Sequence, residues 1–330
     1  KKKMIEILKN IGLKITYAAA AVATVLAIEY LYTTFTKKKN DFKGKTCVII
    51  GGSKGIGLEM AKAIAEAGAK QIVIVARKEE ALRKAVSEIK STSSQVKVNY
   101  ISCDVTNKEN IQPLVNSTFE ALGDTGVDYL FVNQGVAVPG YFLEQDVDVF
   151  ERTMNLNYTS YVYVIKGFLP YMHDRPDSHI ILSSSGAGLL SFVGYTSYSP
   201  TKFAIKALTE ALQSEFEGHE VSFHVAFPAD TKTPGFEIEN KTKPLETHEI
   251  SAESTCYSSR QTADQIISSL VNNDFYLYGD FELGILVSIT KGLAPRASIL
   301  WDSLKVALFG LIGQYYARSI PAISAKYAKD

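Results

Sequence analysis

The chain has 330 residues, 46% of them hydrophobic and 21% charged, which suffices for one large α/β domain with appendages or for two small domains. Its 35 basic and 35 acidic side chains cancel, and this excludes the basic excess of a general nucleic-acid binder. The three cysteines Cys47, Cys103 and Cys256 fit no disulfide framework and no zinc spacing, so a reducing compartment and no metal are expected.

Residues 1–40 open with Lys1–Lys3 and carry the apolar run Ile15–Phe35, whose one charge is Glu29. About 20 apolar residues span a bilayer, so this run predicts an N-terminal membrane anchor. Lysines flank both of its ends and leave the orientation open.

From Thr46 the pattern alternates between strands and helices. Thr46–Ile50 has the length and β-branched content of a strand, and Gly51-Gly52-Ser53-Lys54-Gly55-Ile56-Gly57 follows it. Leu58–Ala67 is helical in composition and stops at Gly68. Strand, glycine turn and helix together make a cradle for a pyrophosphate, because the helix start offers free N–H groups. The second strand, Gln71–Ala76, runs into Arg77 and Lys78. A cation there suits the 2′-phosphate of NADP, where an acidic residue would select NAD.

Glu79–Lys90 predicts a solvent-facing helix, Val96–Ser102 a third strand ending at Asp104-Val105, and Asn107–Leu122 a helix. Tyr129–Val132 is the fourth strand and runs into Asn133-Gln134-Gly135. Val147–Met172 predicts one long helix carrying Asn155 and Asn157, and His179–Leu182 a fifth strand closed by Ser183–Ser185. Val221–Phe227 is the sixth strand and ends in the turn Pro228–Thr233. The alternation predicts a Rossmann-type doubly wound parallel sheet of about seven strands with helices on both faces. Ligands of such sheets lie beyond the carboxyl ends of the strands, where these polar turns sit.

Tyr198 and Lys202 stand four residues apart, on one face of a helix that Pro200 requires to begin near Tyr198. An ammonium beside a phenol favours the phenolate, so the pair predicts a proton donor of lowered pKa. Ser185 lies thirteen residues earlier.

In their order and spacing, Gly51-x-x-x-Gly55-x-Gly57, Asp104-Val105, Asn133-Gln134-Gly135, Asn157, Ser185, Tyr198-x-x-x-Lys202 and Pro228–Thr233 resemble the short-chain dehydrogenase/reductase family over about residues 46–270. Ile50, Gln134 and Ala229 depart from its usual threonine, alanine and glycine, and none of the three removes a catalytic group. The resemblance implies carbonyl reduction by hydride from NADPH. It implies Tyr198 as general acid, Ser185 at the developing oxyanion, Lys202 on the nicotinamide ribose and Asn157 holding a relay water. Cofactor contacts are then expected from Gly51, Ser53, Lys54, Gly55, Ile56, Gly57, Arg77, Lys78, Asp104, Val105, Asn133 and Gly135, and from Tyr198, Lys202, Pro228, Thr231 and Thr233.

The insertion Thr233–Ser251, within a lid at about 229–257, resembles the lid of those family members that reduce the long-chain sphingoid ketone 3-ketodihydrosphingosine. That implies a lipid substrate, contact with membrane lipid, and attachment to the endoplasmic reticulum with the catalytic domain, residues 41–280, toward the cytosol. Glu237 or Glu239 is then a candidate partner for the substrate's ammonium. Residues 281–330 hold the apolar stretches Leu283–Ile289 and Ile299–Ile312, the second amphipathic at helical spacing, candidates to lie on the membrane or to shape the entry of a long chain. A steroid, retinoid or 3-ketoacyl-CoA reductase is the alternative within the family, and a non-catalytic NADP(H)-binding scaffold the alternative outside enzymes. The family also implies a homo-oligomer. Asn116, Asn157 and Asn240 match N-x-S/T but, in a cytosolic domain, meet no glycosylation machinery.

Overall fold

Seven parallel strands in the order β3-β2-β1-β4-β5-β6-β9 form the centre of the molecule, seen in a computed structural model. The structure describes residues 39–290 throughout, and flanking these only residues 17, 20, 23–25, 27, 28, 31, 306, 310, 318–323, 326 and 327. Strands β1 (Thr46–Ile50), β2 (Gln71–Ala76), β3 (Lys97–Ser102), β4 (Tyr129–Val132), β5 (Ser178–Ser183), β6 (Val221–Ala226) and β9 (Tyr276–Leu277) make up the sheet. Strands β1, β4 and β5 are buried at every position, as strands covered on both faces require. Cys47 and Ile49 face one layer of core with Tyr129 and Phe131, while Val48 and Ile50 face the other with Leu130 and Val132.

Helices α1 (Gly55–Glu66), α2 (Glu79–Thr92), α3 (Ile111–Leu122), α4 (Val147–Met154), α5 (Ser160–Phe168) and α6 (Ser199–Glu215) provide the crossovers. Strand β1 pairs with β2 on one side, Ile50 against Val75, and with β4 on the other, Ile50 against Val132. The strand order reverses between β1 and β4, and a crevice opens there at the carboxyl ends.

Three expectations are corrected. Helix α1 starts at Gly55, inside the glycine turn and not after it. The long helix expected over Val147–Met172 is interrupted by a π-helical turn at Asn155–Thr159 and ends in a 3₁₀ turn at Leu169–Tyr171, where Pro170 sits. A wider turn shifts the following side chains around the axis, and here it leaves Asn157 completely buried. The strand expected over Val221–Phe227 ends one residue earlier.

The segment after β6 leaves the sheet through β7 (Thr231–Lys232), forms α7 (Pro234–Glu239) and α8 (Leu245–Ala252), and returns through β8 (Tyr257–Ser258). Strands β7 and β8 pair in parallel, so the lid departs and returns through one two-stranded ribbon. Helix α9 (Ser259–Val271), opened by a capping box of Ser258 and Gln261, leads to β9. Helix α10 (Phe281–Thr290) lays Leu283 and Val287 into the core. Among the described residues no helix is long and apolar enough to cross a membrane. Most of Ile15–Phe35 and of Ile299–Ile312 lies outside the described residues; Tyr17, Val25, Ile28 and Leu31 are helical and exposed.

Candidate active site

A cavity of about 740 Å³ occupies the crevice. Of the sequence-predicted residues, Gly51, Ser53, Lys54, Gly55, Ile56, Arg77, Lys78, Asp104, Val105, Asn133 and Gly135 line it, as do Ser185, Tyr198, Lys202, Pro228, Thr231 and Thr233. Gly57 and Asn157 do not. Each stands behind a residue that does.

Close approach requires the glycines. Gly51 has φ +82°, and a Cβ there would lie 2.8 Å from the Gln134 nitrogen. A Cβ on Gly57 would lie 2.3 Å from the Gly51 carbonyl oxygen, so this residue sets the packing of helix on turn. No side chain caps the start of α1, which leaves its first N–H groups open to the cavity. Exposed Lys54 and Arg77 add positive charge beside them. The Asp104 carboxylate accepts from the Thr106 N–H at 3.1 Å and the Thr106 hydroxyl at 2.7 Å. Burial alone would raise its pKa; those bonds and the Arg77 charge outweigh burial and lower it. A free anion-binding helix start, two cations and a rigid carboxylate fit a phosphorylated dinucleotide.

At the other end of the cavity, Tyr198 immediately precedes α6 and Pro200 occupies its first turn, as the sequence requires. The Ser185 hydroxyl accepts from the Ala187 N–H at 3.2 Å and lies close enough to the Tyr198 phenol to act on its pKa. Lys202 is buried, with its ammonium 5.7 Å from the ring centres of both Tyr161 and Tyr198. That ammonium donates to the Ser183 carbonyl at 2.9 Å, which also accepts the Tyr161 hydroxyl at 3.1 Å. Burial takes the Lys202 pKa down to about 7.

The expectation of a lowered Tyr198 pKa is corrected. Burial raises it, the Glu239 charge raises it further, the nearby Ser185 hydroxyl pulls it back and Asp230 adds to the rise. The phenol is held firmly neutral, the state a general acid needs before it gives up its proton.

Asn157 faces Val136 and Thr201. Its Nδ2 donates to the Val136 carbonyl at 2.8 Å and to Thr201 Oγ1 at 3.1 Å, and its Oδ1 accepts from the Val136 N–H at 2.9 Å. The side-chain amide therefore pins the strand exit after β4. A Cβ on Gly135 would lie 3.3 Å from Lys202 Nζ and 3.4 Å from Asn157 Oδ1, so Gly135 leaves open the space shared by these two groups. Asn133 accepts the Ser183 hydroxyl at 2.8 Å and thereby ties β4 to β5. Gln134, the departure from alanine, reaches Ser160 Oγ at 2.8 Å. Thr233 Oγ1 accepts from the Phe236 N–H at 3.0 Å and caps the first lid helix, and its methyl lies against Gly55.

The sequence did not place Tyr195, Asp230 or Lys243 beside the proton donor. The Tyr195 ring centre lies 5.6 Å from that of Tyr198, and its hydroxyl bonds the Glu239 carboxylate. Lys243 Nζ, with a fully buried side chain, lies 3.2 Å from that same carboxylate. No helical spacing marks them, because Tyr195 precedes α6 and Lys243 follows the first lid helix. Leu190, Phe192, Phe236, Ile238, Leu283 and Leu286 complete an apolar wall on this side.

A family model for short chain dehydrogenase matches residues 45–244. The chain is 33% identical to the 3-ketodihydrosphingosine reductase of Dictyostelium discoideum, over 91% of this chain and 93% of that one. It is 36% identical to the Bos taurus enzyme of the same name, over 93% of each chain. Among solved structures, a short chain dehydrogenase/reductase from Burkholderia phymatum in complex with NAD superposes with a TM-score of 0.64 at 25% identity, covering 72% of this chain and 89% of that one. Levodione reductase gives 0.64 at 19% identity, over 70% and 91%. The matched segment runs from β1 through the first lid helix, and the chain belongs to the short-chain dehydrogenase family.

Proposed function

We propose that this chain reduces 3-ketodihydrosphingosine to dihydrosphingosine with NADPH. The observation that carries the chemistry is that Ser185, Tyr198 and buried Lys202 line one cavity, with the Lys202 ammonium 5.7 Å from the Tyr198 ring centre. The relatives that share more than nine tenths of the chain carry the substrate.

NADPH, when bound, supplies the hydride. The open start of α1, with Lys54 and Arg77, would hold its phosphates, and Asp104 would face the adenine end. As the ketone is reduced, negative charge grows on its oxygen. Ser185 donates to that oxygen, and Tyr198, held neutral, gives it the proton. Lys202, within 5.7 Å of the phenol ring and titrating near neutrality, is placed to restore that proton. Asn157 and Gly135 keep the space behind Lys202 open. The apolar wall excludes water and takes the alkyl chain.

We place the chain at the endoplasmic reticulum membrane with its catalytic domain toward the cytosol, as a homo-oligomer. The apolar run Ile15–Phe35 supports the attachment; the oligomer rests on the family resemblance. The deciding experiment follows NADPH consumption with 3-ketodihydrosphingosine presented in detergent micelles. Turnover is expected. Silence with this ketone, alongside turnover of a steroid or a 3-ketoacyl-CoA, overturns the assignment.

A further inference from the structure

The lid buries more negative charge than it neutralises. Asp230 and Glu239 both line the cavity, and both lie close enough to Tyr198 to act on its phenol. Glu239 has only 16% of its side chain exposed. Lys243 is the cation the two carboxylates share: it lies 3.2 Å from Glu239 and also acts on Asp230. Lys243 Nζ is further engaged by Ser251 Oγ at 3.4 Å and by the Phe236 ring, 4.2 Å from its centre. Two carboxylates against one lysine leave one negative charge over.

That surplus is a liability for the chemistry proposed above. Reduction builds negative charge on the substrate oxygen, and like charge nearby opposes it. A buried charge is tolerated where a partner compensates it. Burial raises the pKa of Glu239 and of Asp230, so the pair holds its second charge reluctantly while the pocket is without a cation. A substrate that brings its own cation would remove the conflict.

We propose that Glu239 and Asp230 form the subsite for a protonated primary amine carried on the carbon next to the ketone. This rests on the proposed function and names the residues that recognise the substrate's polar head. The geometry suits it. Glu239 is reached from Tyr198 through a single side chain, Tyr195, whose ring is 5.6 Å from that of Tyr198 and whose hydroxyl fixes the carboxylate. Tyr198, Asp230 and Glu239 line one cavity, so an amine one carbon from the carbonyl would meet the carboxylates there, with the alkyl chain left to the apolar wall. Glu237, the other candidate in the sequence, is exposed and does not line the cavity.

The test compares 3-ketodihydrosphingosine with two ketones of equal chain length, one N-acetylated and one lacking the nitrogen, using the full chain and NADPH. A charge-assisted contact predicts that the free amine is preferred by about ten- to a hundredfold in kcat/KM. Glu239→Gln and Asp230→Asn should lose about that factor on the amine substrate, mainly through KM, and at least tenfold less on the nitrogen-free ketone. Equal efficiency of the unaltered chain on all three ketones overturns the inference and leaves the reductase reading standing. Equal losses by the variants on amine and nitrogen-free substrates do the same. Absence of turnover of every ketone overturns both. The comparison of substrates on the unaltered chain needs no variant to fold.

Discussion

The ammonium of Lys202 donates a 2.9 Å hydrogen bond to the Ser183 carbonyl, while the Ser184 hydroxyl donates at 2.7 Å to the Lys202 carbonyl. The last residue of β5 and the one after it thus grip both ends of one lysine. Burial lowers the pKa of that lysine from 10.5 to about 7. Between these values the unfolded chain carries the proton and the folded, cofactor-free chain does not, so stability rises with pH across the window. Below about pH 7 the penalty for the buried charge is complete. Denaturant unfolding of the unaltered protein and of Lys202→Met, from pH 6 to 10, should show their difference moving in favour of the lysine protein by a few kcal/mol, because each tenfold change in proton affinity is worth about 1.4 kcal/mol. A difference flat in pH refutes the burial account.

Tyr198→Phe should reduce turnover by at least about a hundredfold and leave NADPH affinity within a fewfold, because it removes the acid and keeps the ring. Ser185→Ala removes both the donor to the oxyanion and the hydroxyl that partly offsets the rise in the Tyr198 pKa. A loss in kcat of about a hundredfold is expected, with KM little changed. Stopped-flow single turnovers separate the two: retained hydride transfer in either variant contradicts the assignment.

Arg77 tests cofactor choice. Arg77→Ala should weaken NADPH by about tenfold and NADH hardly at all, as measured by fluorescence titration. Equal weakening of the two would mean that Arg77 is a solvated residue with no 2′-phosphate to meet.

Two glycines should separate packing from chemistry. In Gly57→Ala the new methyl would meet the Gly51 carbonyl oxygen at 2.3 Å, which backbone cannot yield cheaply. Both melting temperature and NADPH affinity should fall. In Gly135→Ala the methyl would stand 3.3 Å from Lys202 Nζ, a contact that a small movement absorbs. Melting should change little while kcat falls. Equal thermal losses in the two variants would contradict this.

Much of the site is legible in the chain because it is local or repeated. Ser185, Tyr198 and Lys202 sit at strand-end and helix-start positions, where spacing alone fixes geometry. The carboxyl ends of the strands follow from the alternation of elements. Asn157 is legible as a residue and not as an orientation: the π turn that buries it leaves no period in the sequence. Glu239 is legible as a candidate for the substrate's ammonium but not told apart from Glu237, and only tertiary packing shows it buried with Lys243 and bonded to Tyr195. The rise in the Tyr198 pKa follows from the same packing. A lysine four residues away says nothing of two carboxylates thirty and more positions downstream.

The ribbon of β7 and β8 separates two kinds of change. Residues 233–256 leave and re-enter the fold through adjacent strands held by main-chain bonds, Thr231 against Tyr257. Their span is therefore set by two neighbouring points, whatever lies between. Doubling such a loop costs only about 0.6 kcal/mol in closure entropy. Lengthening, shortening or exchanging it leaves β1–β6 and the glycine turn in register. A lineage could replace its substrate head group and chain preference by editing one cassette, provided that Thr233 against Gly55 and the charge that Glu239 sets on Tyr198 are kept or matched.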